Sequence, residues 1–502
     1  MALASRLMDE RQAYLAESSF REFVGLFWPL VSTTPLVDGW YLDAICEHLQ
    51  ALPQLKRLLI NIPPRHGKST LCAVLYPAWL WVSRPQTRFL CSSYSLQLSL
   101  RDSVYCRQVI ESPLYQRLWK TSFQLCGDHN TKSRFHNDRL GYRLATSTSS
   151  GNTGEGCDIL IGDDLNNVSD ALSDIERQNV LDWWQGVIST RLNPGGLDCK
   201  VIIQQRCHSE DITGHILDND EAGQWVRLVL PWEYEPERRT VTPIWSDPRK
   251  DEGEPLSTLY TPGRIEELKG GNGLGPTGFA TQFQQRPIPV EGAIYHEDWF
   301  GTYEEMDEAY LLGDELIKKA WCRTFVTTDL AISLRTTADY TVAQVWAVTP
   351  HNHLILVDEW RERVEGPEAI KAFRTLHDKY RPDAVYVEDV QFQRMMLQML
   401  RQAGLPVKGL KPNGQDKLAR SQRSLVKSEC GQVWLPDAGW VDDWLEEVCA
   451  FPYGRFDDRV DCLAWAGIVS AKYPVRDLPK EQTPEEKAAE AERKRQEFLW
   501  RD

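Results

Sequence analysis

An α/β chain of two consecutive folded halves, the first organised on a mainly parallel sheet, is what this sequence predicts. Three observations carry it. The apolar run Leu58-Leu59-Ile60-Asn61-Ile62 ends in Pro63-Pro64-Arg65-His66-Gly67-Lys68-Ser69-Thr70 and leads into Leu71 to Trp81, which has helical apolar spacing. A second apolar run, Cys157 to Gly162, ends in the paired acids Asp163 and Asp164. Far downstream, Asp329, Glu388 and Asp458 stand one at a time at the ends of predicted strands and at a helix start.

Strand, tight loop, Gly-Lys-Ser and helix is the order of a phosphate-binding loop, in which backbone N–H groups and the helix N-terminus face phosphates. Lys68 supplies a point charge for the β/γ oxygens of ATP, and Ser69 a hydroxyl for Mg²⁺. Pro64, Arg65, His66, Gly67 and Thr70 complete the cradle. Ile62 stands where the usual first glycine would be. A basic surface turn is the competing reading, and the paired acids decide against it. Asp163 is positioned to hold Mg²⁺ with Ser69, and Asp164 to orient or deprotonate the attacking water.

The 502 residues allow two or three domains, and 42% hydrophobic content with 19 Trp allows large cores. A net charge of -15 argues against coating nucleic acid or membrane with the whole surface, while leaving room for a local basic channel. The 12 cysteines form no CxxC pair, so neither a disulfide framework nor a zinc ribbon is expected, and Cys199, Cys207 and His208 read as ordinary residues. The apolar run Leu71 to Val82 is too short to span a bilayer, and no leader is expected at the start.

In chain order, residues 1–57 read as an amphipathic helical lid that could cover an adenine, with core packing explaining it equally well, and 58–290 as the nucleotide-binding domain. Arg88 to Tyr94 is a second strand, with a helix from Leu96 to Ile110. The strand Lys200 to Arg206 ends in Gln205 and Arg206, which at the carboxyl edge of a parallel sheet are placed to sense the γ-phosphate. A salt-bridged surface turn is the alternative. Residues 232–292 read as an irregular subdomain, and 291–320 as a linker whose acidic stretch Asp298 to Lys319 is expected to be helical.

The second domain, 321–475, opens with a strand ending at Asp329. An antiparallel meander to Val357, a helix Pro367 to Tyr380 and a strand ending at Glu388 follow. A helix then begins near Asp457-Asp458 and carries Asp461. Separate carboxylates brought together from strands and a helix are how an RNase H-like fold builds a site for two divalent ions, Mg²⁺ or Mn²⁺. Asp457 and Asp461 are i,i+4 and Asp458 and Asp461 are i,i+3, so several pairs share a face. Asp458 is favoured as third ligand and Asp461 is next. Lys417, Arg420, Arg423 and Lys427 recur at helical spacing, either as a stripe for DNA phosphates or as a solvated face. Residues 476–502 read as a charged tail.

These residues together resemble the large terminase subunit of tailed bacteriophages. The markers are Pro63 to Ser69, Ile161-Gly162-Asp163-Asp164, Gln205-Arg206-Cys207-His208, Gln282 to Pro287, Asp329, Glu388 and Phe451 to Asp458. The resemblance implies a translocating P-loop ATPase followed by an RNase H-like nuclease, working in the host bacterial cytoplasm. The implied partners are double-stranded DNA, a portal protein, a small terminase subunit and further copies in a ring. It implies that Arg65 contacts the γ-phosphate and that the segment at Gln205 and Arg206 couples hydrolysis to movement. It also implies a trans-acting arginine, with Arg139 and Arg143 as candidates. Asp164 stands where many relatives use Glu, Glu155 where a basic residue is expected, and Cys207 where Trp is. A helicase–nuclease, marked by strand separation, and a scaffold with degenerate sites, marked by absent ATPase, are the rival classes.

Overall fold

The computed structural model describes residues 2–120, 122–127, 130–150, 154–287, 294–330, 340–364, 366–389, 394–412 and 417–476. It divides into two compact units, Met1–Glu291 and Gly292–Asp502. The charged tail 476–502 lies outside the described residues, Arg476 excepted.

The first unit carries strands β1 (Arg57–Asn61), β2 (Arg88–Ser93), β3 (Arg134–His136), β4 (Tyr142–Ser147), β5 (Ile159–Asp163), β6 (Cys199–Gln204) and β7 (Val226–Val229). Their order is β3-β4-β2-β5-β6-β1-β7, and every pairing is parallel except β3 with β4. Parallel strands covered by helices on both faces are continuous apolar runs, as Leu58 to Ile60 and Ile159 to Ile161 are. One face packs under the helices Phe20–Val31, Trp40–Gln50 and Tyr76–Ser83, with Phe20, Phe23, Phe27 and Trp81 buried. The other face buries Leu59, Leu160, Ile202 and Trp183.

The strand order sets the chemistry. β6 lies between β1, which feeds the phosphate loop, and β5, which ends in the acids. All three strands run the same way, so the phosphate loop, Asp163 and Gln205 emerge at one edge. That edge is where open α/β sheets bind ligands.

The second unit has strands β8 (Phe300–Glu305), β9 (Ala309–Leu312), β10 (Glu315–Lys318), β11 (Arg323–Asp329), β12 (Thr341–Val348), β13 (Leu354–Glu362), β14 (Ala384–Glu388), β15 (Val407–Leu410) and β16 (Val433–Pro436). They form one sheet in the order β10-β9-β8-β16-β13-β12-β11-β14-β15. Its centre, β13-β12-β11-β14-β15, has the 3-2-1-4-5 order of an RNase H-like fold, with the second strand antiparallel to its neighbours. The helices Lys417–Glu429, Val441–Cys449 and Asp458–Ser470 cover one face; Gly366–Tyr380 and Arg394–Gln402 cover the other.

The stretch expected as a helical linker is corrected here. Asp298 to Lys319 is mostly β-structure, the strands β8 to β10 that extend the sheet. Tyr303, Tyr310, Leu312 and Ile317 are buried against Ala347 and Ile355, while the glutamates between them face out. Short segments with a two-residue repeat and turns between them cannot hold a continuous helical stripe.

Two candidate active sites

In the first unit the phosphate loop runs from Ile62 to Ser69 and turns directly into the helix Thr70–Leu75, which is wound as a π-helix before Tyr76–Ser83 continues it. Arg65 and Gly67 have φ of 68° and 73°. At Gly67 a Cβ would also lie 2.8 Å from the Trp28 ring, so glycine is needed for both backbone and space. His66 is buried beneath the loop. Its Nδ1 faces the Pro64 carbonyl at 2.9 Å and its Nε2 faces the Ser257 hydroxyl at 3.0 Å. Burial pushes the imidazole down to about 4. It is a neutral prop for the loop.

Lys68 is buried and donates to Asp164 Oδ1 at 2.8 Å and to Gln205 Oε1 at 3.1 Å. The Gln205 backbone N–H donates to the same Asp164 oxygen at 3.3 Å. Lysine, acid and glutamine from three different strand ends therefore form one cluster. Asp164 adopts φ 44°, a left-handed conformation that a non-glycine residue holds only where surrounding contacts impose it. Ser69 donates to Asp163, whose carboxyl is pushed up to about 8 by burial and by Asp164 and Asp102, against the opposing pull of Ser69 and Lys68. Asp163 Oδ1 is buried with no hydrogen-bond partner. An acid raised by burial and by other acids, with a hydroxyl beside it, is a donor set that fits a hard divalent cation.

Above this cluster opens a cavity of about 1120 Å³. Pro64, Arg65, His66, Gly67, Lys68, Ser69 and Thr70 line it, with Asp164, Gln205 and the segment Trp28 to Val37. The end of the helix Phe20–Val31 and the turn after it thus border the pocket. Tyr94, Arg101 and Asp102 also line it and were not anticipated. The position of Tyr94, directly after β2 at the carboxyl edge, is the signal that could have found it.

Two expectations are corrected. Arg206 does not line the cavity: its Nε donates to both Asp211 oxygens at 3.0 Å, and its Nη2 to the carbonyls of His208 and Ser209. The salt-bridged-turn alternative therefore describes Arg206, whereas Gln205 faces the cluster. Arg143 is 0% exposed and donates to the Ala73 carbonyl, so it cannot reach another subunit. Arg139 is exposed on the turn before β4, at the sheet edge opposite the phosphate loop. Glu155 accepts from Arg134.

In the second unit, Asp329 ends β11 and Glu388 ends β14. The register of these two strands pairs Thr327 with Tyr386. Carried two residues on, it sets Asp329 beside Glu388, one strand spacing of about 4.8 Å apart. Asp458 and Asp461 are buried at the start of the helix Asp458–Ser470, and Asp457 precedes it. Thr327 donates to the Cys462 carbonyl at 2.9 Å, which holds that helix start against β11. The Asp329 carboxyl is pushed well up by burial and by Asp461, with Asp458 and Glu388 adding to it and Lys417 opposing. Glu388 is raised by burial and by Asp461, against Arg420 and Lys417. The acids therefore feel one another. Among the described residues no three acid, His or Cys side chains are gathered tightly enough to hold an ion. Oxygen donors with excess negative charge nonetheless fit Mg²⁺ or Mn²⁺.

The basic stripe is corrected as well. Lys417 reaches Asp457 and Asp461, Arg420 reaches Asp461, and Lys427 is buried with its ammonium on the Asn352 carbonyl at 2.6 Å. Of the four, only Arg423 is exposed. Spacing identified a helix face, and its first two cations, Lys417 and Arg420, turn inward onto the acids. Other cations stand on aromatic rings. Arg361 and Arg363 lie over the Tyr340 ring at 4.0 and 4.2 Å, and Arg455 over Phe456 at 5.1 Å, with the two rings 5.6 Å apart. Arg361 shares a ladder row with Asp329, through Val342 of the strand between them.

Residues 326–468 match the family described as the terminase RNaseH-like domain. The matched stretch lies within the second unit. The chain is also similar to solved large terminases. For one from a thermophilic bacteriophage, identity is 11% and the TM-score 0.50, over 87% of this chain and 99% of that one. For the HK97 bacteriophage large terminase the values are 11% and 0.35, over 90% and 100%. The nuclease of the thermophilic phage G20c with bound magnesium matches at 16% and 0.27, over 36% and 98%. No curated protein matches. Of these likenesses the first carries the fold, spanning a large terminase almost end to end. No helix among the described residues is long and apolar enough to cross a membrane.

Proposed function

We propose that this chain is an ATP-driven motor subunit that moves double-stranded DNA into a procapsid through a portal and cuts concatemeric DNA with a two-metal endonuclease. The observation that carries the reading is the pairing of two chemically opposite sites on consecutive units. One presents a buried lysine, a loop of backbone N–H groups and a large cavity, the equipment for a nucleotide's phosphates. The other presents Asp329, Glu388, Asp458 and Asp461, the equipment for divalent cations.

In the first site Lys68 and Arg65 hold the terminal phosphates of ATP, and Ser69 and Asp163 hold Mg²⁺. The nucleotide displaces Asp164 from Lys68, which leaves that carboxylate to orient water, with Gln205 reporting the change to β6. In the second site Asp329, Glu388 and Asp458 would hold the ions, with buried Asp461 acting on both Asp329 and Glu388, and Asp457 just ahead of the helix. The ions supply activation of water and neutralisation of the leaving oxygen. Arg363 and Arg455 on their aromatic rings suit a DNA backbone, because guanidinium groups bind phosphate without reading sequence. Portal protein, small terminase subunit, a ring of further copies and the bacterial cytoplasm belong to the same reading.

The test is purified full-length protein incubated with linear and circular DNA, with and without ATP, followed by gel, ATPase rate and uptake into procapsids. DNA-stimulated ATPase, metal-dependent cleavage and nuclease-protected DNA are the expected results. Strand separation would replace the motor by a helicase–nuclease, and a background ATPase equal to that of Lys68→Ala would favour a scaffold.

A further inference from the structure

The ammonium of Lys417 meets three oxygens among the described residues. It lies 2.6 Å from Asp461 Oδ2, 2.7 Å from Asp457 Oδ1 and 3.2 Å from the Asp457 carbonyl. All three of its N–H donors thus have an oxygen to meet. The other Asp461 oxygen, Oδ1, accepts from Arg420 at 2.7 Å. Both oxygens of Asp461 are therefore engaged by cations of the chain itself.

This arrangement is held by the helices and not by a wandering side chain. At their crossing a Cβ on Gly467 would lie 2.6 Å from the Ser424 backbone nitrogen, so the helix Lys417–Glu429 sits directly on Asp458–Ser470. The Tyr295 hydroxyl pins the same point through Ser424 Oγ at 2.7 Å. Ser424 is two helical turns from Lys417, so fixing one fixes where the other projects.

We infer that Lys417 is a built-in counter-cation of the nuclease centre, a specificity-determining residue that occupies part of the divalent-ion site and weakens ion binding until it is displaced. The inference rests on the reading of these acids as an ion-binding centre. An ammonium with three oxygen neighbours imitates a hard cation's shell, but with one positive charge in place of two. It keeps the acids together when no ion is bound and competes with the ion that replaces it. Since Asp461 cannot serve Lys417, Arg420 and a metal equally, ion binding and the Lys417 contact are linked, and each weakens the other.

The experiment is Mn²⁺ titration of the full-length protein without nucleotide or DNA, followed by the electron paramagnetic resonance of unbound Mn²⁺ and by thermal melting. Lys417→Met keeps the side chain's length and removes its charge. It is expected to tighten Mn²⁺ binding about tenfold, within the ordinary range of coupling between two ligands. Its melting temperature in EDTA should fall below the parent's, and Mn²⁺ should raise it by more than in the parent. Lys417→Arg should keep the parent's affinity. Equal or weaker Mn²⁺ binding by Lys417→Met overturns the inference. Should Lys417→Met not fold, Lys417→Gln is put to the same titration with the same criterion. Asp329→Asn separates the two levels: if it binds Mn²⁺ as the parent does, the ion-centre reading itself fails, whatever Lys417 does.

Discussion

Both units place a lysine against carboxylates, Asp164 just past β5 in the first and Asp457 and Asp461 at a helix start in the second, and the two balances are opposite. In the first, Lys68 meets Asp164 and a neutral amide, Gln205, beneath an open cavity. In the second, Lys417 and Arg420 are outnumbered by Asp329, Glu388, Asp457, Asp458 and Asp461. A lysine with one acid exchanges it readily for a phosphate. An acid cluster with too few cations exchanges a lysine for a metal. The lesson is that the surplus of charge, more than the residue types, decides which ligand a strand-end pocket is built to receive.

The comparison breaks most sharply at the two central residues. Lys68→Ala should lower ATPase by on the order of 10²–10³-fold, as expected for loss of one charge clamp on a transferring phosphoryl group, with DNA cleavage retained. Asp329→Asn should do the reverse, lowering plasmid cleavage in Mg²⁺ or Mn²⁺ by a similar factor of about 10² or more while ATPase persists. If either substitution abolishes both activities in folded protein, the two sites are not separate.

A second pair tests which arginines are structural. Arg143→Ala strips the Ala73 carbonyl of its donor inside the core and should cost the first unit about 1–3 kcal/mol in denaturant unfolding. Arg139→Ala, on the exposed turn, should stay within about 0.5 kcal/mol of the parent. Smaller still is the effect at the aromatic-backed cations. Replacing Arg363 and Arg455 together by Ala should weaken binding to all DNA sequences alike and reduce the salt slope by about 1 for each phosphate no longer neutralised. An unchanged slope would move the DNA grip elsewhere.

The mildest test is acid. His66 in one unit and His353 in the other are both pushed down to about 4, in each case chiefly by burial. The indole N–H of Trp434 donates to His353 Nδ1 at 3.0 Å, which requires that nitrogen to be unprotonated. With unfolded values of about 6.5, the unfolded chain binds the extra proton first. The stability these rings contribute is complete above pH about 6.5 and is lost as pH falls towards 4. His66→Gln should flatten that loss in the first unit's transition only, and His353→Gln in the second's, as read by differential scanning calorimetry.

Much of the molecule was legible from residues alone. The phosphate loop, the strand ending in Asp163 and the acids at Asp329 and Glu388 each combine a buried apolar run with a polar residue at its end. Burial on both faces forces such a run into a strand, and the polar residue must leave the core at the edge. What escaped reading depended on partners distant in sequence. Arg143 sits in β4, where charge suggests exposure, yet the Ala73 carbonyl gives it a buried partner. Lys417, Arg420 and Lys427 share a helix face, and spacing cannot say whether that face meets water or Asp461. Tyr303, Tyr310 and Ile317 are too far apart and too few to reveal three short strands among glutamates, because each is buried by residues such as Ala347 and Ile355.

One link in the first unit has a mechanical corollary. Gln205 touches Lys68 through its side chain, and the next backbone N–H, that of Arg206, donates to Gln285 at 3.0 Å, six residues before the unit ends at Glu291. Between them Arg206 is clamped by Asp211 and has no slack to absorb a shift. A tug on the glutamine when a phosphate leaves would therefore travel along a stiff, two-step tether as far as Gln285.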